Sequence, residues 1–514
     1  MNRREFFHNA GVTAGGSSLL ASTEQVRTGL AAPAATPEQG TDALSGAQRG
    51  PWRRLFLDAM TVEESRGLTR SFHAAENHPA SPVLRRDQPW EGASGMSGPY
   101  LYGTVLNEGG RLRMWYQCIH RGNHVGYAES TDGIQWVKPN LGLIEREGSK
   151  ENNMVISVLQ PEATGGVCHN PSVIHCPWES DPNRRYTLFC FEAIRGRARS
   201  AYSPDGLRWR FSTETAEAGL FSSSDVVNFF WDPYRSRFVS TWKTRSRRGR
   251  AAGIAFSSDG RQWTKPLEGP VFGADDLDPD ATQVYGMPAF PYQGLYIGLP
   301  WIYNARYFKD VEYSVPRMLE AQEDSPRTMD VQVAWSWDLI SWNRPPARFQ
   351  FIPRGPSGAW DGGMLFTARA PVQIGDRLYF YYGGFDKVHD EPRATGNIGL
   401  AVMRLDGFCS MSAGSEEGWL ISRRESLPAP RVRINARVTP GGWVRAELLD
   451  RRNRVLPGFT RDDCIPFTGD SVRHALTWKP GGPQTETSRS LSDVKVRFYL
   501  KDAALYSYWP ASEA

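Results

Sequence analysis

From residue 100 onward, apolar and polar positions alternate in short runs separated by Gly, Pro, Asn and Asp, the period-two signature of half-buried strands. The clearest runs are RLRMWYQC (111–118), RRYTLFCFEA (184–193), SRFVSTWKT (236–244), QGLYIGLPWIY (293–303) and DRLYFYYGGF (376–385). A first strand precedes each: YLYGTVLNE (100–108), PSVIHC (171–176), VVNFFWD (226–232), VYGMPAFPY (284–292) and MLFTARAPVQI (364–374). Outside the amino-terminal leader no long window carries the 3.6-residue period of an amphipathic helix, so the expected fold class is all-β.

A turn motif closes the units. YAESTDGIQW (127–136), AYSPDGLRW (201–209), AFSSDGRQW (255–263) and AWSWDLISW (334–342) align Ser130, Ser203, Ser257 and Ser336, with Asp132, Asp205, Asp259 and Asp338 two places on. Trp136, Trp209, Trp263 and Trp342 sit six after each serine, and GLAVMRLDGF (399–408) is a degenerate fifth copy around Asp406 and Gly407. The tryptophans lie 54 to 79 residues apart, the scale of a four-stranded blade. Five units therefore predict a five-bladed β-propeller over residues 50–415. The repeated aspartates read as architecture: Asp and Ser cap tight turns through backbone N–H groups, Gly supplies positive φ, and Trp wedges against the next sheet. A single active site has no need of the same acid on every blade.

Residues 416–514 continue the alternation between PGG and RRN turns and predict an appended antiparallel β-sandwich. The run RRLFLDAMTVEE (53–64) is expected to supply the outer strand of the fifth blade and so remove an exposed edge.

Formal net charge is +4, from 60 basic and 56 acidic side chains, which implies no polyanion partner and no nucleic acid. KTRSRRGR (243–250) is a local exception, read as a solvated hairpin tip because no aromatics interleave with its arginines. The six cysteines lack C-x-x-C spacing; Cys168 and Cys176 are either a pair formed in an oxidising compartment or buried thiols. NRREFFHNAGVTAGGSSLLA resembles a twin-arginine export signal, with Arg3 and Arg4 as the pair and Phe6 after them. Its apolar run is too short for a permanent membrane anchor. Residues 1–49 are thus expected to be leader and linker, and the protein periplasmic or extracellular.

A five-unit propeller with S-x-D-G-x-x-W turns, a β-sandwich after it and an export signal before it resembles the propeller glycosidases of the invertase, levansucrase and arabinanase group, over about residues 50–514. The runs Pro89–Glu91, Tyr102–Val105, Met114–Gln117 and Pro139–Gly142 are similar to those of exported bacterial members. The group's W-M-N-D-P-N-G, R-D-P and E-C signatures are not in this chain. The resemblance implies an exported glycoside hydrolase acting on an oligo- or polysaccharide, with a furanoside as one candidate, and no required cofactor.

Cleavage of this kind uses two carboxyl groups across the bond, one protonated and one ionised, and a third can hold their pKa values apart. Acids at the starts of first strands converge on the axis. Asp225 in SSSDVV, Asp361 in GAWDGG and Glu91 in QPWEGA meet that condition, Asp225 and Asp361 as the pair and Glu91 as the third acid. Each is otherwise a strand cap; Asp232 and Asp58 read as turn and closing-strand acids. In the second unit His169 and Asn170 take the matching place, and a histidine there can bond a sugar hydroxyl, serve as acid or ligate a metal. His389, beside Asp386 and Asp390, is a similar case; both histidines are otherwise core residues. Trp90 and Trp360 suit stacking on sugar faces or packing. The metal assignment is open: a structural Ca2+ in the axial channel is compatible with these groups, while GADDLDPDA (273–281) lacks EF-hand spacing and reads as a solvated acidic loop. The competing functional class is a glycan-binding propeller without catalysis. A sialidase fits less well, since its Asp-box spacing and blade number differ.

Overall fold

The structure is a computed structural model describing residues 50, 52–92, 97–119, 123–157, 168–192, 196–214, 219–304, 327–389, 391, 393–479 and 490–511. The leader and linker, 1–49, lie outside the described residues. Among those described the regular structure is β-strand, with single 3-10 turns at Pro89–Glu91 and Pro182–Arg184.

The sheets are arranged like propeller blades. The first unit pairs Pro99–Glu108, Arg111–Ile119, Asn123–Ser130 and Met154–Ser157; the second Cys168–His175, Tyr186–Glu192, Arg197–Ser203 and Arg210–Phe211. The third pairs Val227–Asp232, Arg237–Ser246 and Gly249–Ser257. The fourth pairs Ala289–Tyr292, Leu295–Gly298, Ala334–Ser336 and Trp342–Asn343.

Four sheets thus stand apart where five were expected. The fifth unit, with Met364–Thr367, Val372–Ile374, Arg377–Phe385 and Gly396–Arg404, shares an eight-stranded sheet with Thr282–Gly286, Trp301–Asn304 and Met329–Val331 through one parallel bridge, Met329 to Met364. The physical cause is proline. Pro288 and Pro300 interrupt the fourth unit's first two strands, since neither donates an N–H to a ladder, and their carbonyls instead accept from Leu299 (2.8 Å) and Gln332 (3.0 Å).

The repeated turns are built alike. Each serine Oγ accepts the N–H three residues on at 2.8 Å, from Gly133, Gly206, Gly260 and Leu339. Each aspartate Oδ1 accepts the N–H groups two and three residues beyond itself. Every turn docks on the preceding unit. Gly206 O accepts Trp115 Nε1 (2.7 Å), Gly260 packs on Phe189, Leu339 packs with Phe230 and Val239, and Asp406 accepts the Tyr292 hydroxyl (2.6 Å). The first turn docks on the fifth unit: Gly133 O accepts the Tyr381 hydroxyl at 2.8 Å. A cation two places after Trp bolts three of the seams: Lys138 reaches Arg85 O and Asp87, Lys265 reaches Ser222 O, and Arg344 binds Asp278 through two nitrogens.

The outer strand of the fifth unit is Glu76–Asn77, paired with Ala401 and Val402, and not the 53–64 run. That run goes the other way. Arg54–Leu55 pairs with Ser507 and Tyr508, and Val62–Arg66 with residues 419–422. Arg54 forks onto buried Glu425 at 2.8 and 2.7 Å, Phe56 and Val62 enter the carboxy-terminal core, and Asp58 accepts the indole N–H groups of Trp335 and Trp337. Apolar burial, with no alternating pattern to read, decides its place. The carboxy-terminal residues pair as one nine-stranded antiparallel sheet with these segments, its longest strands Val432–Leu449 and Leu491–Pro510. Its core holds Leu420, Ile434, Leu448, Val496, Phe498 and Leu500.

All six cysteines are free and buried, so Cys168 and Cys176 are not joined. Burial pushes the Cys176 thiol up to about 11.

Candidate functional site

Side chains hold the inner strands of neighbouring units side by side. Thr104 Oγ1 accepts the N–H of Val173 (2.9 Å), Asn170 Oδ1 that of Val227 (3.0 Å) and Ser172 Oγ that of Phe229 (3.1 Å). These bonds substitute for a sheet ladder between units and hold the second and third inner strands together at their starting ends.

At that end Asp225 precedes the third inner strand. Its carboxylate is ion-paired to Lys243 Nζ and accepts the Ser224 hydroxyl at 3.0 Å. The Lys243 N–H binds Val226 O at 2.9 Å, which fixes the lysine beneath the aspartate. Burial works to raise the Asp225 carboxyl, but Lys243, His169 and the hydrogen bonds of Lys243 and Ser224 together hold it far below the usual carboxylate range. Its side chain keeps 24 % exposure. The Lys243 ion pair thus favours the charged form of a partly exposed carboxylate.

Rings and cations surround it. Lys243 Nζ lies 4.4 Å from the centre of the Tyr285 ring, and the Arg250 guanidinium 5.7 Å from the same ring. Arg250 Nη1 donates to Gln283 Oε1 at 2.6 Å. His389 sits between Tyr285 (5.4 Å) and Tyr303 (4.7 Å). On the other side His169 meets Tyr102 edge to face at 5.3 Å, and Tyr102 stacks on Trp301 at 5.1 Å.

The structure brings Asp225, His169, Asn170 and His389 to this end through Tyr102, Lys243 and Tyr285. The other candidates have different surroundings. Asp361 is buried in the fifth unit: its Oδ2 accepts the Tyr382 hydroxyl (2.9 Å), it accepts the Gly355 N–H, and Trp360 stacks on Tyr382 at 5.8 Å. Burial raises its carboxyl, against these bonds and Arg354. Glu91 is fully buried beneath the first unit, where it accepts the N–H groups of Asp87 and Gln88, the Tyr116 hydroxyl (2.9 Å) and Lys138 Nζ (2.6 Å). Trp90 beside it donates to Asn153 at 2.8 Å. Among the described residues, the partners of Asp225, Asp361 and Glu91 do not overlap. Asp386 accepts the Thr395 N–H (2.7 Å), Asp232 the Tyr296 hydroxyl (2.9 Å), and Asp390 lies outside the described residues.

In the acidic loop, Asp275 faces Arg348, Asp276 faces Arg248 and Asp278 faces Arg344, so guanidinium groups face three of its four carboxylates. No group of three or more His, Cys, Asp or Glu side chains suited to a metal occurs among the described residues. No helix among them is long and apolar enough to cross a membrane.

Lys243 and Tyr285 were missed in the sequence. Lys243 opens the basic run read as a hairpin tip, yet it is buried, on the strand face turned to the fourth unit. The legible signal was its place in SRFVSTWKT, on a strand flanking Asp225 in the same unit.

No family model matches the chain, and no curated protein does. Among solved structures, a glycosyl hydrolase from Bacteroides ovatus aligns with 65 % of this chain and 94 % of its own at 16 % identity, TM-score 0.42. A structure described with the GH130 family of mannoside phosphorylases and hydrolases of β-1,2 mannosidic linkages in Candida mannan aligns with 65 % and 94 %, at 16 % identity and TM-score 0.44. The GH32 β-fructofuranosidase of Bombyx mori aligns with 84 % and 94 %, at 11 % identity and TM-score 0.39. Likeness at this level leaves the chemistry to this chain's own side chains.

Proposed function

We propose that the chain is an exported glycoside hydrolase that binds an oligo- or polysaccharide at the axial end of a propeller and uses Asp225 as its ionised carboxylate. The observation that carries the reading is the Asp225–Lys243 pair: a carboxylate kept charged yet a quarter open, among rings and hydrogen-bonding groups. His169, Asn170 and His389 flank the bound sugar, and furanosides belong among its candidate substrates. Asp361 and Glu91, with Trp360 and Trp90, act from within the fold in this reading. Five units form the ring; the cyclic docking of turns, including Gly133 on Tyr381, supports that count. The carboxy-terminal sheet folds over its own core as a sandwich, in keeping with the register shifts at Asn435 and Val438. A structural Ca2+ is not needed for this reading.

The carboxylates of Asp361 and Glu91 are engaged elsewhere, which favours a second reading, a glycan-binding protein without catalysis. Reducing-end release from plant, algal and microbial polysaccharides decides between them, with wild type and Asp225→Asn run in parallel. Release that Asp225→Asn abolishes supports the hydrolase. Retention on a polysaccharide affinity gel without release supports the binding protein. Conservative replacement of Arg3 and Arg4 by lysine tests export by cell fractionation.

A further inference from the structure

The second inner strand departs from the alternation that a regular strand imposes. Cys168–His175 pairs with Tyr186–Glu192 so that Phe189 faces Ser172 and Phe191 faces His169, which leaves Asn170 and Pro171 opposite Cys190 alone. This is a bulge, with Asn170 at φ 59, a backbone region that asparagine tolerates better than most residues. The extra residue reverses the parity of the strand. Val173 and Cys168 pack into one core between the first and second units, although an odd separation would place them on opposite faces of an unbroken strand. His169 lies off that face, edge to face with Tyr102 of the first unit and interacting with Asp225 of the third.

Its level is fixed as well. Asn170 Oδ1 holds the N–H of Val227, two residues past Asp225, and the Asn170 N–H donates to Gln117 Oε1 at 2.9 Å. The Gln117 amide nitrogen in turn donates to the carbonyls of His124 (3.1 Å) and Cys168 (3.2 Å). A buried amide network therefore holds the bulge that aims His169. Tyr102 from the first unit and Asp225, backed by Lys243, from the third face the imidazole. The Glu192–Arg199 pair of its own sheet (3.6 Å) lies on the opposite face with Cys168.

We propose that His169 is the proton donor of this site, in the role a second carboxyl group fills in two-carboxylate hydrolysis, and that Asn170 is its positioning residue. The inference rests on the hydrolase reading above. Asp225 is ion-paired to Lys243, which holds it in its charged form, so the departing oxygen takes its proton from another group. An imidazole can bring that proton, and the interaction of His169 with Asp225 places it beside the carboxylate. The glycosidic C–O bond breaks with its electron pair passing to the leaving oxygen, which takes the proton of His169. The oxygen of water bonds to the anomeric carbon, either directly as Asp225 accepts its proton or after a glycosyl ester on Asp225 has formed and is opened. The released proton passes to solvent and solvent reprotonates His169, so water is the only co-reactant.

The test is dependence on the leaving group, read with phenyl and 2,4-dinitrophenyl glycosides of a panel of pyranoses and furanoses. Dinitrophenolate departs without a proton, and phenolate does not. His169→Gln is expected to lose roughly 100-fold or more on the phenyl glycoside, the scale of general-acid assistance, and only a few-fold on the dinitrophenyl one. Asp225→Asn loses both. Asn170→Ala, which removes the acceptor for the Val227 N–H, follows His169→Gln in this pattern. Equal loss of both substrates in folded His169→Gln, or no loss of either, overturns the inference and leaves the hydrolase reading standing. A wild type that cleaves no member of the panel overturns both.

Discussion

Asp406 and Arg53 form a two-bond fork, Nε to Oδ2 at 2.6 Å and Nη2 to Oδ1 at 3.0 Å, at a point where three parts of the chain meet. The same carboxylate accepts the hydroxyls of Tyr292 and Ser507, each at 2.6 Å. Asp406 belongs to the fifth turn, where its counterparts cap their own backbone. It has exchanged that duty for joining the fourth unit, the amino-terminal segment and the last strand. Burial works to lower the Arg53 guanidinium, and Asp406 more than offsets it. Removing one partner of a buried pair strands the other, so Asp406→Ala is expected to cost about 3–5 kcal/mol. Denaturant titration checks this, and a cost below about 1 kcal/mol would show that the junction is held by packing alone.

Leu339 stands where the first three turns carry glycine. Its φ is 71, against 77, 77 and 72 at Gly133, Gly206 and Gly260. The left-handed backbone costs a leucine roughly 1–2 kcal/mol. Its side chain is fully buried between the third and fourth units, where leucine-sized losses run to about 2–5 kcal/mol. Burial outweighs strain. Leu339→Gly is therefore expected to destabilise by about 1–3 kcal/mol in denaturant titration, although it restores the motif. A more stable variant would mean that strain dominates.

The turn motif was legible because its bonds are local: a serine and an aspartate reach N–H groups within three residues, whatever surrounds them. Strand alternation was legible for the same reason. The closing strand was not, since Glu76–Asn77 is too short to show a period, and the place of 53–64 depends on contacts with residues hundreds of positions away. Pro288 and Pro300 were in plain view, but their effect on pairing depends on which strands lie alongside. At the site, Asp225 and His169 could be proposed from strand starts. The burial of Lys243 and the bulge that turns His169 are decided between units, and no spacing records them.

Asp361 separates the candidate acids by a pH experiment. Burial raises its folded-state pKa above the unfolded value, so the stability it contributes is full below about pH 4 and is lost as pH rises through the folded value. Asp361→Asn, which removes that titration and keeps an acceptor for Tyr382, is expected to gain on the wild type as pH increases from 4 to 7. Its glycan turnover is expected to match wild type, since Tyr382 and Gly355 already engage its carboxylate. Thermal melts across pH, with turnover measured beside them, check both. Loss of turnover in a folded Asp361→Asn would return Asp361 to the catalytic pair.

Asp225 titrates with the opposite sign. Its folded-state pKa lies below the unfolded value, chiefly through Lys243 and His169 acting against burial. The stability it contributes is present above about pH 4 and drains away as pH falls toward the folded value. Asp225→Asn leaves the buried Lys243 ammonium without its counter-charge, so the variant is expected to be less stable than wild type at pH 7. The gap narrows below pH 4, as the wild type comes to bear a proton there. Lys243→Met should share the neutral-pH loss, and combining the two should cost less than the sum of the single changes, because the second removes a charge already unpaired. Denaturant titrations of the three variants at pH 7 and pH 3 read the coupling directly. Strict additivity at pH 7 would mean that the pair does not hold Asp225 in its charged form, and the ionised carboxylate on which the functional reading rests would need another source.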